Sequence, residues 1–527
     1  MACESFYQLS MCAEDPDDLR LAPDAFERHL RDLLPKVVSA SDFEGWFKGT
    51  VGRSPCCPMV LTGMLLLQSR FELSDEDVVA RARRDRAFRY ALHLDGREQP
   101  PSVTSLRRHR ARVRERLGED FLHRRVLALA QSEGLVDDVE LQAQDSTNTE
   151  CRGAIIDTFN LIAVGIGRVV RTVAGVVGST PESLAAKWSL SRYLARSIKG
   201  QVTIDWSSEE ARNALLTEEI RDAKQLSERI AELGQQMPPE VEEAVELLQT
   251  VAHQDVEQLE DGTYRIAKGT CKDRVVSITD PEARHGRKSS SRVITGFKTH
   301  VQGTICSQFV TGITITDAGV HDAKPSPALI EQSAEVGLKP QEVVGDAAYG
   351  TGANLRACAS HGVEMCTKLP APSHDGFTKR DFDIDLQAMT ATCPRGHTTG
   401  EYSLVKAGGV SEEQVPNFKF PKAACQNCPL ATQCGSDPRK GRARRLKLSV
   451  YEEELQRAKA FNASEQAGEV LRRRSAVERL ISHLVRMGMR NARFFGMHLV
   501  QYQAYLIASA YNLQRVFTLT TKLAAPS

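Results

Sequence analysis

The sequence predicts an α/β protein with a mixed sheet between helical regions, because strand and helix patterns follow one another in blocks. Residues 1–132 show only the helical spacing of apolar side chains. Strand patterns occupy residues 136–145 and 275–368, and a helix pattern at residues 323–336 separates an antiparallel meander from the later strands. Helical patterns return at residues 452–490 and 497–517.

The composition is that of an ordinary globular chain. It has 527 residues, enough for roughly two to four domains. Lys plus Arg and Asp plus Glu both number 68, so only local basic patches could bind nucleic acid. The start lacks a signal-peptide pattern, and the apolar run at residues 161–167 stops at Arg168, too short for a membrane span. We therefore expect a cytoplasmic protein, whose 13 cysteines are thiols or metal ligands.

The N-terminal helices include two that are rich in arginine. Pro58 begins an apolar helix, and Ser74 caps the next one. Arginines follow at residues 81–89 and 107–116, and the candidates for DNA phosphate contact are Arg107, Arg108 and Arg110. Neighbouring acids, such as Asp75 and Glu76, leave an ordinary solvated face equally open.

A polar helical block at residues 183–261 interrupts the strand patterns. Its apolar positions recur at helical spacing in residues 215–233 and 241–256, on either side of Met237-Pro-Pro. The pattern predicts two antiparallel helices, inserted for packing or self-association.

Two strands of the expected sheet end in a carboxylate. Val139, Leu141 and Ala143 alternate with polar residues before Asp145, and Asp346 closes the strand pattern at residues 341–345. If these strands are neighbours, the two carboxylates meet and can hold Mg²⁺ or Mn²⁺ for attack on a phosphodiester. The alternative for Asp145 alone is a turn residue.

A third acid would complete such a site, and Glu478 is the best candidate. It follows Arg474 by four residues, so an ordinary helical ion pair is the alternative. Glu469 is a weaker rival because its surroundings are less basic.

A second cluster indicates a structural Zn²⁺ site in a loop-like region from Pro370 to Pro438. A Cys-x-x-Cys pair with further Cys and His nearby gives five candidates, of which His397 or Cys434 is spare: Cys393, His397, Cys425, Cys428 and Cys434. Reduced cysteines in a loop are the alternative. The basic run at residues 439–447 suits DNA phosphate, or is a solvated linker.

The order of several motifs resembles the DDE transposases of bacterial insertion sequences, specifically the group numbered eleven-eighty-two, related to the insertion-sequence four and five superfamily. The resemblance covers nearly the whole chain. It rests on Gly52–Gln68, Asp145-Ser-Thr, Thr279-Asp-Pro-Glu-Ala-Arg, Gly296-Phe-Lys-Thr-His-Val, Gly319-Val-His-Asp, Gly345-Asp-Ala-Ala-Tyr-Gly, Arg474-Ser-Ala-Val-Glu, Arg493-Phe-Phe-Gly and Gln503–Arg515.

The resemblance implies an RNase H-like core that cuts DNA at transposon ends and joins the freed 3′ ends to a target. Asp145, Asp346 and Glu478 would be the metal-binding triad, with Arg474 on DNA phosphate or orienting Glu478. The partners would be double-stranded DNA, both terminal inverted repeats and target, bound by a homodimer or a larger assembly. An inactive or domesticated DNA-binding relative, and a nuclease without strand transfer, are the alternatives.

The chain departs from the wider pattern near Glu478. Related transposases often have Tyr three residues before the Arg and Lys seven after the Glu, but Leu471 and Val485 stand there. Arg486 or Arg490 is expected to take over the phosphate contact.

The expected domains follow from these patterns. They are a helical DNA-binding domain at residues 1–132, a core at 133–182 and 262–369, a helical insertion at 183–261, a Cys-rich, zinc-binding insertion at 370–450, and C-terminal helices at 451–527 that complete the core.

Overall fold

The computed structural model describes most of the chain as helices around one mixed sheet. It covers residues 17, 19–46, 56–94, 98–234, 236–269, 271–287, 293–371, 376–408, 411–434 and 442–524. The mixed α/β class predicted from the sequence is therefore confirmed.

In the described residues six α-helices precede the sheet, and every residue of the apolar helix that begins at Pro58, except its last, Arg70, is buried. They are α1 (Phe26–Val37), α2 (Pro58–Arg70), α3 (Asp75–Arg84), α4 (Arg86–Ala91), α5 (Val103–Leu117) and α6 (Phe121–Ser132). Pro58 is the first residue of α2, and the Ser74 hydroxyl accepts a hydrogen bond from the Asp77 amide (2.9 Å) at the start of α3. α2 and α6 pack on the C-terminal helix, so both ends of the chain share one core with the sheet.

The main sheet combines antiparallel and parallel strands. Its members are β1 (Gln142–Glu150), β4 (Arg284–Arg287), β5 (Val293–Thr304), β6 (Val310–Asp317), β7 (Glu342–Val344) and β8 (Glu364–Cys366), in the order β4-β5-β1-β7-β8 with β6 also on β5. β1 and β5 are antiparallel, whereas β1, β7 and β8 run parallel. The prediction of a strand at residues 275–278 is wrong, because this buried segment does not pair with another strand.

The expected end of β1 at Asp145 is also wrong. β1 begins only at Gln142 and continues through Ser146, Thr147 and Asn148, while Val139 lies outside it and is 56% exposed. The reason is the long β5, whose residues pair with every position of β1, from Gln142↔Thr304 to Glu150↔Gly296. This ladder outweighs the turn preference of Ser and Asn.

The helical block packs around its own apolar core. It consists of α7 (Thr158–Val176), α8 (Pro181–Lys187), α9 (Glu209–Ala231), α10 (Pro239–His253) and the hairpin of β2 (Val256–Gln258) and β3 (Tyr264–Ile266). The two helices predicted on either side of Met237 are thus present as α9 and α10.

Helix α7 is the single helix in the described residues that is long and apolar enough to cross a membrane. The sequence-based estimate that this run is too short is wrong, because the helix continues through Arg168 and Arg171, which donate to the carbonyls of Ile278 (2.7 Å) and Leu194 (2.8 Å). However, 67% of its most apolar window is buried inside the protein, as in an ordinary core helix.

A buried carboxyl in this block leads to a stability prediction. Glu219 is 0% exposed, and neither carboxyl oxygen has a hydrogen-bond partner. Burial raises the pKa of Glu219 to about 9. The unfolded chain releases this proton near the usual pKa of 4.5 while the folded state keeps it, so stability should fall between pH 4.5 and about 9.

We expect Glu219→Gln to raise the free energy of unfolding by about 1–3 kcal/mol near pH 8, with a smaller gain at pH 5. Urea denaturation at several pH values measures it. Glu218→Gln is the control, because Glu218 is 51% exposed. An equal gain at pH 5 and pH 8 would contradict the explanation.

The region expected to be a loop contains two small sheets instead. These are β9 (Asp383–Asp385), β10 (Thr390–Thr392) and β11 (Thr398–Thr399), and β12 (Tyr402–Gly408), β13 (Ser411–Lys419) and β14 (Arg445–Lys447). Phe382, Phe418 and Phe420 form the core that the two sheets share. Most of these strands have only two or three residues, which is too short for an alternating pattern to be recognised in the sequence. Helices α13 (Lys422–Gln426) and α14 (Ala431–Cys434) connect β13 to β14.

The remaining helices flank the sheet. α11 (Ser326–Glu335) and α12 (Gly352–Ser360) lie between strands, as predicted. The long helix expected at residues 452–490 is divided into α15 (Glu452–Ala463), α16 (Ala467–Arg472) and α17 (Ser475–Arg486), and α18 (Met497–Ala524) follows.

Candidate active site

The first acidic residue lies on the central strand. Asp145 is the fourth residue of β1, between two paired strands, and its Oδ1 accepts a hydrogen bond from the Ser146 amide (2.8 Å). Its side chain is 21% exposed. The sheet therefore holds this carboxylate in place while one side stays open to solvent.

The second acidic residue follows the neighbouring parallel strand. Ala143 pairs with Val344, and Asp145 and Asp346 each come two residues later. Side chains repeat every two residues along a strand, so this register puts both carboxylates on the same face. Asp346 Oδ1 caps the turn that follows, accepting from the Ala348 amide (2.8 Å). The two strands are neighbours in the sheet, which meets the condition that the sequence left open.

The third acidic residue is brought to this face by α17. The helix packs on β1 and β5 through Val477, Leu480 and Ile481, which leaves Glu478 beside the sheet. Arg474, one turn earlier, pairs with Asp145 Oδ2 (3.0 Å) and with Glu478. One guanidinium therefore connects the first and third acidic residues. Glu469 instead pairs with Arg473 (2.7 Å) and is 66% exposed.

The electrostatics reflect this crowding of negative charge. Burial raises the pKa of Asp145; the Ser146 amide and Arg474 oppose the shift, and Asp346 and Glu478 add to it. Burial, together with Asp145, Asp322 and Asp346, raises the pKa of Tyr349 well above its usual value. The site therefore favours a cation, and in this structure Arg474 supplies it.

The donor set fits a divalent ion by chemistry, because oxygen ligands from carboxylates suit Mg²⁺ and Mn²⁺. In the described part of the chain, however, no three His, Cys, Asp or Glu side chains are arranged so that they could hold a metal ion. Arg474 occupies the space between two of the carboxylates, so metal binding requires this side chain to move.

Sequence reasoning missed a polar cluster behind Asp145. The Ser146 hydroxyl donates to Asp322 Oδ1 (3.0 Å), and Lys298 pairs with the same oxygen (2.9 Å). Burial would raise the pKa of Asp322, but Lys298 and Ser146 lower it below its usual value. Because Ser146 points to the opposite face from Asp145, this cluster anchors the strand from behind. The motif Gly319-Val-His-Asp contained the signal.

The arginines expected to contact DNA have different environments. Arg110 is buried and bound to Asp75 and Gln68, so its proposed phosphate contact is not supported by the structure. Arg107 pairs with Asp75 (2.9 Å) and Glu76 (2.8 Å) but stays 58% exposed. Arg108 is exposed.

Two further arginines follow Glu478. Arg486 is exposed at the end of α17 and donates to His483 (2.9 Å). Arg490 is exposed and donates to the Thr147 hydroxyl (3.5 Å). Thr147 is two residues from Asp145, so Arg490 borders the carboxylate face. Of the basic run, residues 439–441 lie outside the described residues.

Three of the cysteine candidates, Cys393, Cys425 and Cys434, pack against the apolar core of the two small sheets. Burial raises the pKa of the Cys434 thiol, and Cys425, Cys428 and Cys393 raise it further. In the described residues these side chains are not arranged as a metal-binding group. All four are half-buried thiols without disulfides. His397 is exposed, and its carbonyl accepts a hydrogen bond from the Cys393 amide (2.9 Å).

Comparison with known families decides the class of the chain. The model described as Transposase DDE domain matches residues 392–517, and the one described as Transposase domain (DUF772) matches residues 15–112. The chain is a DDE transposase of an insertion sequence. Searches of curated proteins and of solved structures returned no match. In the transposase, the matched segments contain Glu478 and Arg474 but neither Asp145 nor Asp346.

Proposed function

We propose that the transposase binds the terminal inverted repeats of its element, cleaves DNA there, and joins the freed 3′ ends to target DNA. The observation that carries this proposal is the convergence of Asp145, Asp346 and Glu478 from three distant segments on one face of the sheet. We also propose that the core is RNase H-like and that the element belongs to group eleven-eighty-two. The motif order and the mixed sheet support both assignments.

The proposed roles follow from the contacts. Asp145, Asp346 and Glu478 would hold Mg²⁺ or Mn²⁺; a bound ion would supply activation of the attacking hydroxyl and stabilisation of the leaving oxygen. Arg474 neutralises Asp145 and Glu478 in the free protein. When DNA enters, its phosphates offer Arg474 another partner, and release of the two carboxylates then couples DNA binding to assembly of the site.

The proposed division of the chain follows the same logic. Residues 133–182, 262–369 and 451–527 form the catalytic core, and residues 1–132 bind DNA together with it. Residues 183–261 are a helical insertion, supported by an apolar core that they share with α7 and that is separate from the core of the sheet. We propose a dimer or larger assembly on paired DNA ends, since joining two ends to one target requires two active sites.

A cleavage and joining assay tests the main proposal. The transposase is incubated with DNA carrying the element's terminal inverted repeats, a target plasmid and Mg²⁺. Cut ends and joined products are expected, and neither should form with EDTA. Cleavage without joining of pre-cut ends would indicate a nuclease alone. DNA binding without either product would indicate an inactive relative.

We further propose a structural Zn²⁺ site in residues 370–450, formed by Cys393, Cys425, Cys428 and Cys434. Its support is that all four are half-buried free thiols and that Cys393, Cys425 and Cys434 pack against the same small core. Thiolate ligands bind Zn²⁺ tightly, and such a site stabilises a module with few apolar residues.

Cys425→Ser should therefore lower the zinc content measured by mass spectrometry and increase proteolysis within residues 376–447. His397→Ala is the matched control and should retain the metal, because its side chain is exposed. Unchanged zinc in Cys425→Ser would rule the site out.

A further inference from the structure

A basic cavity lies at the end of α17 that is opposite to Glu478. It has a volume of about 460 Å³ and lies between α17, α18 and the last residue of α2. Four basic side chains line it, namely Arg70, His483, Arg486 and Arg515, together with Tyr511 and Gln514. These residues come from segments far apart in the sequence, so only the fold assembles the cavity.

The positive charge in this cavity is not balanced at its surface. None of the described lining residues is Asp or Glu. Arg515 donates to the Ser307 carbonyl (2.9 Å) and Arg486 to His483 (2.9 Å), so both contacts are to neutral acceptors or another base. Glu27 is close enough to Arg70 to affect it but does not line the cavity.

Burial and the crowding of positive charge lower the pKa values of two lining residues, His483 and Arg70. Burial and then Arg486, Arg515 and Arg70 lower the pKa of His483. Burial also lowers the pKa of Arg70, and Arg486 adds to that shift, whereas Glu27 opposes it. A bound anion would relieve the mutual repulsion of these cationic side chains.

We propose that this cavity binds a phosphate group of the DNA backbone and thereby fixes the duplex relative to the carboxylates. The inference rests on the proposed function, because it takes DNA as the partner. Three guanidinium groups converging on one cavity suit phosphate, which they bind by paired hydrogen bonds. α17 carries both sites: eight residues separate Glu478 from Arg486, about 12 Å along the helix. That distance corresponds to about three to four base-pair steps.

Binding of inorganic phosphate tests the cavity without DNA. Phosphate should raise the melting temperature of the wild type and much less that of Arg486→Gln, a change at an exposed residue that should not disturb folding. Arg221→Gln, an exposed arginine of the helical insertion, is the matched control and should respond like the wild type. Equal stabilisation of wild type and Arg486→Gln by phosphate would overturn the proposed site.

The affinity for terminal-repeat DNA, measured in the presence of Ca²⁺ at several salt concentrations, tests whether the ligand of the cavity is DNA. For Arg486→Gln we expect the slope of log K against log salt to decrease in magnitude by about one. Affinity should fall about 10- to 100-fold, as for loss of a charge-assisted contact. If phosphate binding depends on Arg486 but the DNA slope does not, the cavity takes free phosphate, and the DNA assignment fails. If the wild type cleaves and joins DNA while Arg486→Gln shows the same slope of log K against log salt as the wild type, this inference fails and the proposed function stands.

Discussion

Replacing Asp145 by Asn should abolish Mg²⁺-dependent cleavage of terminal-repeat DNA, with a loss of about 10³-fold or more. The amide has nearly the same shape but no charge, so it keeps the strand paired while it removes one of the proposed metal ligands. It also removes one partner of Arg474, whose contact with Asp145 is 3.0 Å. Gel assays of cut and joined products, with DNA binding measured in parallel, separate the loss of chemistry from the loss of affinity.

Asp138→Asn is the matched control for this experiment. Asp138 precedes β1, is exposed, and accepts a hydrogen bond from Gln131 (3.2 Å) without touching the site. Its activity should equal that of the wild type. Equal cleavage by Asp145→Asn and the wild type would by itself refute the active-site assignment.

Replacing Glu478 by Gln should reduce cleavage to a similar extent, whereas Glu469→Gln should leave it unchanged. Both residues pair with an arginine four positions away in the chain, so helical context alone does not separate them. Only Glu478 shares its arginine with Asp145. The rate of cleavage at saturating DNA, measured for both variants over a range of Mn²⁺ concentrations, makes the comparison.

The opposite result would identify Glu469 as the third acidic residue. That outcome would require α16 to turn towards β1, because Glu469 is 66% exposed and bound to Arg473 in this structure. Partial recovery of Glu478→Gln at high Mn²⁺ would support a metal-binding role, since weakened metal affinity is compensated by concentration. A defect that no metal concentration changes would instead indicate that Glu478 acts only through Arg474.

The sequence alone was sufficient for features set by neighbours in the chain. The proline at the start of α2, the Ser74 cap of α3 and the helix pair around Met237 follow from local preferences and spacing. The order of short motifs was sufficient to indicate the DDE transposases, a family that the comparisons support. That the strands before Asp145 and Asp346 are neighbours was only a condition of the sequence argument, and the sheet meets it.

Contacts between distant segments decided the rest. β5 extends β1 past Asp145, so a residue expected in a turn lies inside a sheet. Asp75 holds Arg110 in the interior, although its charge suggested an exposed DNA contact. Phe382 and Phe418 order a region that reads as loop.

The carboxylate site shows most clearly which features depend on the sequence alone and which depend on the tertiary structure. The sequence by itself determined which residue types are available: two aspartates after apolar strand residues and a glutamate four residues after an arginine. Only the tertiary structure decided that Arg474 connects Asp145 to Glu478, and that Arg70, Arg486 and Arg515 surround one cavity. The physical reason is that charge pairing and burial depend on distance in space, whereas sequence patterns report only the preferences of residues close together in the chain.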